Sequence, residues 1–332
     1  MSFGALIFRL MCTRSDRKRD AGQTAPANVK RHDNLVYGSD PRHHTLDLYL
    51  PADAGGSLPV IVSFHGGGWV YGTKETYQFY CMSLAARGFA VINYNYRLAP
   101  KHRFPAPFED TNQVFHWLMQ HAAAYHLDTE RIFGAGDSAG ALGIGLYACI
   151  LTNPDYARRF RFRAPEGLHL RGLALNCGMY TTADKAQALA DFLPKQNADD
   201  ALQTLDLVQH ITPDFPPCFV MTANKDFLQA EPKVLLPVLE QNGVAHTCHI
   251  YGDDTQPLGH VFHCDLRLAQ AKEANDAECA FFAQLSQNEI ISEALDKHHV
   301  IYYNCTHRSC TMDRLLRNLT SETAYCFRKG WS

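Results

Sequence analysis

The length, composition and charge of the chain limit the kind of protein that it encodes. A chain of 332 residues with 46% hydrophobic residues can bury the core of one large or two small globular domains. The formal net charge of -3 provides no overall positive field, so neither nucleic acid nor a bulk anionic surface is an expected partner. Eleven scattered cysteines, an odd number, are typical of reduced buried thiols and favour a cytoplasmic protein without disulfides.

The chain opens with an apolar stretch over residues 1–12 that then turns basic. This order is the reverse of a secretory signal, and the stretch is shorter than the ~20 apolar residues that span a bilayer. Its apolar positions recur at helical spacing: Phe3, Leu6, Ile7, Leu10 and Met11. We therefore expect residues 1–44 to form a helical cap segment whose amphipathic helix closes a pocket as a lid, with membrane contact as the less favoured alternative.

Predicted strands and helices alternate over residues 45–287. The strands are short and rich in apolar, β-branched or aromatic residues, and they cover 45–50, 59–64, 89–94, 131–136, 172–176, 218–222 and 247–251. The helices cover 76–87, 108–126, 139–152, 232–242 and 262–285. This alternation predicts an α/β catalytic domain with a mostly parallel, doubly wound sheet. A glycine-rich turn between the first two strands predicts an antiparallel hairpin at the sheet edge.

Two further stretches fall outside this alternation. Residues 177–214 are longer than a crossover requires, so we expect a helical cap insertion there. Residues 288–332 form a C-terminal tail without a clear strand pattern, in which a short helix over 313–319 is an option. The tail contains His298, His299, Cys305, His307 and Cys310. Their spacing matches no closed zinc site, so no metal is predicted.

Residues 134–140 read Gly-Ala-Gly-Asp-Ser-Ala-Gly between a predicted strand and a predicted helix. Gly136 and Gly140 permit a strained turn, which would hold the Ser138 hydroxyl clear of the sheet as a nucleophile. The alternative is a serine that merely caps the helix.

A second glycine-rich loop, over residues 65–69, directly follows the strand that ends at residue 64. Backbone N–H groups in such a loop can stabilise the oxyanion that acyl transfer generates. The predicted oxyanion donors are the N–H groups of Gly66, Gly67 and Ala139. The predicted substrate contacts are Gly68, Trp69 and Tyr71. The glycine patterns of nucleotide-binding loops are absent from the sequence, so no nucleotide is expected.

A serine nucleophile requires a histidine base and an acid that orients it. Asp226 follows the strand 218–222, and His260 ends the loop after the strand 247–251, which gives the order serine, acid, histidine. The weaker alternatives are His263 as the base and Glu231, Asp253 or Asp254 as the acid. Asp137 is expected to have a packing role outside the triad.

Together these segments resemble the hormone-sensitive-lipase-like branch of the α/β-hydrolase esterases. The matching blocks are residues 65–68, 96–100, 104–106, 109–110, 136–140, 226–228 and 260–262, within about 45–285. Phe227 stands where the family often has proline, and Val261 where glycine commonly follows the histidine. The resemblance implies an α/β-hydrolase fold with a cap, and hydrolysis of short-chain carboxylic esters without a cofactor.

The sequence is also compatible with two other functions. An arylformamidase-like amidase shares the His-Gly-Gly-x-Trp loop of residues 65–69. A non-catalytic small-molecule receptor on the same fold is less favoured because all three triad residues are present. The expected partner is a small-molecule ester, no integral membrane span is predicted, and a homo-oligomer is left open. Arg97 is expected to pair with a carboxylate, with Asp110 as the nearest candidate.

Overall fold

The computed structural model describes residues 2–286 and the backbone of a strand at Ile301–Asn304. The strands in chain order are β1 (Val29–Val36), β2 (Thr45–Pro51), β3 (Leu58–Phe64), β4 (Ala90–Tyr94), β5 (Leu127–Asp137), β6 (Gly172–Asn176), β7 (Cys218–Ala223), β8 (His246–Tyr251) and β9 (Ile301–Asn304). They form one sheet in the order β1-β2-β4-β3-β5-β6-β7-β8-β9. β2 is antiparallel to β1 and β4, and all other neighbours are parallel.

Helices connect most of the strands. They are α1 (Phe3–Asp20), α2 (Lys74–Ala85), α3 (Ala106–Tyr125), α4 (Ala139–Thr152), α5 (Pro154–Ala157), α6 (Ala198–Thr204), α7 (Pro232–Gln241) and α8 (Ala269–Ser286). Short 3-10 turns lie at Leu207–Gln209 and Phe262–Cys264. Over residues 2–286, no helix is both long enough and apolar enough to cross a membrane.

The core consists of two apolar layers, one on each face of the sheet. Successive strand residues point to opposite faces, so Val60 and Val62 belong to the layer that contains α3, α4 and α7. Ile61 belongs to the other layer, against α2 and α8. All residues of β4 and β6 are buried, as expected of strands covered on both faces. The predicted doubly wound α/β fold is confirmed.

The structure corrects the N-terminal edge of the sheet. The predicted hairpin between the first two core strands is wrong, because β4 lies between β2 and β3. The predicted cap segment 1–44 also contains β1, which pairs with β2. The β1 sequence is Val-Lys-Arg-His-Asp-Asn-Leu-Val, and most of its residues are exposed. It therefore lacks the apolar run that marks a strand covered on both faces.

The C-terminal predictions also need changes. β9 adds a strand parallel to β8 within the tail for which no strand was predicted. The last core helix begins at Ala269 instead of residue 262, because Asp265 accepts hydrogen bonds from the backbone and side chain of Arg267 and forms a local turn. The possible helix over 313–319 and the five histidines and cysteines of the tail lie outside the described residues.

Candidate active site

Ser138 lies on a strained turn between β5 and α4. Its backbone angles are φ 54 and ψ -119, a conformation that L-residues rarely adopt. The turn is possible because Gly140 packs against the carbonyl of Phe64, and Gly136 against the carbonyl of Gly140, with no room for a Cβ at either position. The Ser138 N–H donates to Asn176 O at 3.0 Å, which ties the turn to β6. The serine itself is half-buried at this edge of the sheet.

Asp226 and His260 lie in the loops that follow β7 and β8. The Nδ1 of His260 lies 2.8 Å from Oδ1 of Asp226, and the N–H of Leu228 donates to the same oxygen at 2.7 Å. Burial acts to raise the pKa of Asp226, but the hydrogen bonds from His260 and Leu228 hold it below its ordinary value. The ionised carboxylate therefore accepts a hydrogen bond from the N–H at Nδ1 of His260, and in the neutral imidazole this leaves Nε2 as an acceptor.

Cys177, directly after β6, connects this pair to the strand next to Ser138. Its Sγ and the side-chain ligand atoms of Asp226 and His260 all lie within 4.8 Å of one another. β6 pairs with β5 so that Asn176 is opposite Asp137, which places Cys177 beside the Ser138 turn. Burial, then the Asp226 charge, raise the pKa of Cys177, so the thiol stays protonated and can donate to the carboxylate. The sequence analysis missed this residue, although its position after a parallel strand was a usable signal.

The loop after β3 is fixed by aromatic stacking. The His65 ring stacks on Tyr96 at 4.1 Å between centroids, and its Nδ1–H donates to Gly66 O at 2.8 Å. Burial lowers the pKa of His65 to about 4, so this ring is neutral. The hydroxyl of Tyr96 donates to His65 O at 2.9 Å. These contacts hold the backbone of the glycine loop in one conformation.

The three predicted oxyanion donors are not equivalent in the structure. The Gly66 N–H donates to Oδ1 of Asp137 at 3.1 Å and lies 3.2 Å from the Tyr77 hydroxyl. Gly66 therefore uses its N–H inside the protein and does not offer it to a ligand. Among the hydrogen bonds of residues 2–286, none has the N–H of Gly67 or Ala139 as its donor.

Asp137 has the structural role predicted for it. It is buried and accepts a hydrogen bond from the Tyr77 hydroxyl at 2.8 Å, in addition to the one from Gly66. Burial raises the pKa of Asp137 to about 6, although the Tyr77 bond and the nearby His260 act in the opposite direction. Asp137 thus joins the nucleophile turn to the loop after β3.

The weaker candidates for base and acid have other partners. His263 is fully buried against Tyr80 at 4.9 Å, and burial lowers its pKa to about 3. Glu231 accepts from the Tyr180 N–H at 2.7 Å and forms an ion pair with Lys185 at 2.5 Å. These contacts tie α7 to the chain that leaves β6 and occupy the carboxylate of Glu231.

The remaining candidates for the catalytic acid, Asp253 and Asp254, form local contacts near the protein surface. Asp253 accepts from the N–H groups of Thr255 and Gln256 in a turn, and Asp254 is paired with Lys225 at 3.3 Å.

The expected pair of Arg97 and Asp110 is present: the Nε of Arg97 donates to the Asp110 carboxylate at 2.8 Å. Nε2 of His44 lies 3.1 Å from the same carboxylate. Asp110 therefore has a structural role, because it joins these two segments to α3.

Of the three predicted substrate contacts, Trp69 is buried in the protein, whereas Gly68 and Tyr71 lie next to α1. Trp69 is fully buried and stacks on Phe192 at 4.3 Å, so it packs against the segment after β6. A Cβ at Gly68 would lie 3.8 Å from the Phe8 ring, which places α1 over the glycine loop. Tyr71 donates its hydroxyl to Asp16 of α1 at 2.7 Å. Both Gly68 and Tyr71 therefore contact α1 at the rim of the site.

One set of side chains in the described part of the chain has metal-type donors close together. It consists of Cys177, Asp226 and His260. Asp226 and His260 are hydrogen-bonded to each other, and burial keeps the cysteine protonated. The hydrogen bonds within this group therefore account for its close packing without a metal ion.

Sequence and structural comparisons agree with this geometry. The profile of a family described as alpha/beta hydrolase fold matches residues 61–263, more than half of the chain. Ethyl acetate hydrolase of Pseudomonas putida is 38% identical over 124 residues, which are 35% of this chain and 37% of that protein. Carboxylesterase NlhH of Mycobacterium tuberculosis is 39% identical over 94 residues, 28% of this chain and 30% of that protein.

These matched segments span only about a third of the length of the curated relatives. A solved structure gives broader coverage: esterase B from Lactobacillus rhamnosis inhibited by a C4-C4 tributyrin phosphonate. It is 25% identical, has a TM-score of 0.78, and covers 88% of this chain and 97% of that one. With the nucleophile-type turn and the parallel sheet, the profile match confirms the resemblance seen in the sequence. The chain belongs to the α/β-hydrolase fold family.

Proposed function

We propose that this protein is a carboxylic ester hydrolase that acts on short-chain acyl esters through Ser138, His260 and Asp226. One observation carries the proposal. The strained Ser138 turn and the hydrogen-bonded Asp226–His260 pair lie at the same edge of the sheet, where β5, β6, β7 and β8 end. Such a turn exposes a hydroxyl for attack, and such a pair supplies the base that activates it.

In the proposed first step, Ser138 Oγ attacks the ester carbonyl carbon while Nε2 of His260 takes the hydroxyl proton. The carbonyl oxygen becomes an oxyanion. Collapse of this intermediate breaks the bond to the alcohol oxygen, and His260 returns its proton to the departing alcohol. The acyl group remains esterified to Ser138.

The second step mirrors the first. A water molecule gives its proton to His260 and attacks the acyl carbon, and the proton then returns to Ser138 as the acid leaves. Asp226 stays ionised throughout, because its hydrogen bonds keep its pKa below the ordinary value. It orients the imidazole and balances the positive charge that forms on it.

The proposed oxyanion donors are the N–H groups of Gly67 and Ala139. Ala139 is the first residue of α4, where the backbone N–H has no acceptor within the helix. Gly67 has φ +106, a conformation that glycine adopts without strain. Gly66 holds this loop against Asp137 instead of contacting the oxyanion.

The preference for short acyl chains rests on the relatives. One is named for ethyl acetate, and the structural neighbour was inhibited by a phosphonate analogue of tributyrin. We propose that this chain acts on esters with acyl groups of a similar few carbons. An arylformamidase-like amidase and a non-catalytic receptor are the alternatives, and a substrate panel distinguishes both from an esterase.

The direct test is hydrolysis of p-nitrophenyl acetate by the purified protein. We expect Ser138→Ala to lower kcat at least about 10,000-fold with the fold unchanged, because the nucleophile is lost while binding remains. Ser57→Ala, at an exposed position away from this turn, is the matched control and should keep full activity. Turnover by Ser138→Ala at the wild-type rate would overturn the proposal.

A substrate panel tests the finer claim. We expect kcat/KM to fall at least about tenfold from p-nitrophenyl butyrate to the decanoate, since acyl groups that exceed a pocket lose transition-state contacts. A higher kcat/KM on formanilide than on the acetate ester would instead assign an amidase. Binding of esters without turnover by the wild-type protein would assign a receptor.

A further inference from the structure

The outer face of α1 is apolar and exposed among the residues that the structure describes. Large apolar residues are exposed along it, with exposed fractions of 77% for Phe3, 42% for Leu6, 42% for Ile7, 64% for Leu10 and 67% for Met11. No residue of α1 is buried. Continuous apolar surface of this kind on a folded protein marks an interaction site.

The inner face of α1 is attached to the protein by polar contacts. Asp16 accepts from the Tyr71 hydroxyl at 2.7 Å, and Arg19 donates to the carbonyl of Thr76 at 2.5 Å. At the other end, the N–H of Ser2 donates to the Asp191 carboxylate at 2.8 Å. These contacts fix which side of the helix points outward.

Cations continue the same outer face toward the C-terminal end of α1. Residues 3, 7, 10, 14 and 17 follow one another at spacings of three or four, so they share one stripe of the helix. Arg14, Arg17 and Lys18 are exposed on or beside this stripe. The acidic residues of α1, Asp16 and Asp20, are both partly buried and bonded toward the body of the protein. The outer face is therefore apolar first and then purely cationic.

We propose that this face of α1 docks the protein onto an anionic lipid surface. A helix that enters a bilayer interface at a tilt, N-terminal end first, buries the apolar residues at that end below the headgroups and places cations farther along the same face at the lipid phosphates. The order of apolar and cationic residues along α1 matches this arrangement. The proposal is independent of the ester hydrolase activity, because it rests on the outer face of α1 alone.

A second copy of the chain fits this face less well. In an antiparallel two-fold pairing over the full length of α1, the three cations would face the apolar half of the other copy. In a parallel pairing, the cations would face one another. The antiparallel pairing removes the cations from water, and the parallel pairing brings like charges together. An anionic membrane instead neutralises these charges.

Vesicle flotation with the full chain tests the proposal. We expect the protein to bind phosphatidylcholine vesicles that contain 30% phosphatidylglycerol at least about tenfold more tightly than pure phosphatidylcholine, with the preference weakened by salt. Leu10→Ser combined with Met11→Ser should lower binding to both vesicles at least about tenfold. Arg14→Gln combined with Lys18→Gln should lower only the anionic preference, by about fivefold for each cation.

Matched controls come from α7, another helix with exposed residues of both types. Val234→Ser and Lys233→Gln change an exposed apolar residue and an exposed cation there, and both should leave binding unchanged. Circular dichroism establishes that each variant is folded. The proposal fails if the wild type binds neither vesicle, or if the α1 and α7 variants behave alike. It also fails if sedimentation velocity shows a dimer that Leu10→Ser with Met11→Ser abolishes.

Discussion

The proposed catalytic acid has more than one source of orientation. Asp226 is held by His260 and by the Leu228 N–H, and the Cys177 thiol lies within 4.8 Å of the ligand atoms of both Asp226 and His260. The cysteine itself has φ 46, a left-handed conformation, and its N–H donates to Met221 O at 2.7 Å. The backbone after β6 thus directs this thiol toward Asp226.

We expect Cys177→Ala to lower kcat/KM for p-nitrophenyl acetate about tenfold, the effect of one lost hydrogen bond to a charged group. Losing a donor to the ionised carboxylate raises the pKa of Asp226. The fall in activity on acidification should therefore begin at a higher pH than in the wild type. Cys177→Ser retains a donor and should restore the profile. A Cys177→Ala profile that matches the wild type from pH 8 down to about pH 3, below the ordinary pKa of an aspartate, would contradict the role.

Single residues of the site differ in how far sequence could predict them. Ser138, Asp226 and His260 follow strands at the carboxyl edge of the sheet, so their positions were enough to propose them as candidates, and the structure pairs two of them, Asp226 and His260. Gly66 looked equivalent to Gly67, but its N–H donates to Asp137, seventy-one positions along the chain. Contacts of that kind depend on how β3 and β5 pair, which local sequence does not encode.

At the level of elements, α1 is held by few contacts. Its anchor at Tyr71 and Asp16 is polar, its large apolar residues are exposed, and Ala5 packs partly buried against the core. The amphipathic pattern predicted the helix, but not which side would face the protein. The apolar side faces outward because Asp16, Arg19 and the N–H of Ser2 find partners on the inner side.

We expect Tyr71→Phe to loosen α1 without unfolding the protein. Loss of the hydroxyl removes a hydrogen bond to Asp16, a change of about 1–2 kcal/mol in the local opening free energy. Hydrogen exchange of α1 amides should speed up at least about fivefold, while the thermal midpoint changes little because α1 buries no side chain. Tyr125→Phe on α3 is the control. Equal exchange in wild type and Tyr71→Phe would show that the anchor lies elsewhere.

Strand order was the other feature of elements that the sequence predicted only in part. The core strands were visible as apolar runs, but the position of β4 between β2 and β3 was not. A short glycine-rich turn suggested a hairpin, whereas the two strands it joins each pair with β4 instead. The polar strand β1 had no comparable signal.

For the molecule as a whole, a buried carboxyl group joins three elements on one face of the sheet. Glu278 of α8 accepts from the Tyr80 hydroxyl of α2 at 2.8 Å and from the Asn176 amide of β6 at 3.0 Å. Burial raises the pKa of Glu278 from 4.5 to about 7, against the effect of these hydrogen bonds. The folded protein therefore holds this proton more strongly than the unfolded chain does.

This linkage predicts how stability varies with pH. Between about pH 4.5 and 7, the folded state carries a proton on Glu278 that the unfolded state has lost, so the free energy of unfolding falls as pH rises. The loss due to this group is at most about 3 kcal/mol. Urea unfolding of Glu278→Gln should show a flatter pH dependence than the wild type.

Some slope should remain in Glu278→Gln, because Asp137 is also buried with its pKa raised to about 6. Asp254→Asn, which changes an exposed carboxyl group, should leave the wild-type slope intact. A Glu278→Gln protein with the full wild-type slope would show that Glu278 does not take up this proton.

The alternation of strands and helices was enough to predict a doubly wound α/β fold, because each buried parallel strand has an apolar run and each crossover a helical period. The α/β-hydrolase type came from the resemblance of the glycine loop, the serine turn and the histidine loop to the hormone-sensitive-lipase-like esterases. The tail strand β9 and the short turn before α8 were not predicted. The first depends on edge pairing with β8, and the second on a local turn at Asp265.

The central claim is that Ser138 is a nucleophile activated by His260 and Asp226. Labelling with a fluorophosphonate, followed by peptide mass spectrometry, tests it most directly. The account predicts one phosphonyl adduct on Ser138, labelling at least about a thousandfold slower in His260→Gln, and none in Ser138→Ala. An adduct on another residue, or undiminished labelling of Ser138→Ala, would contradict it.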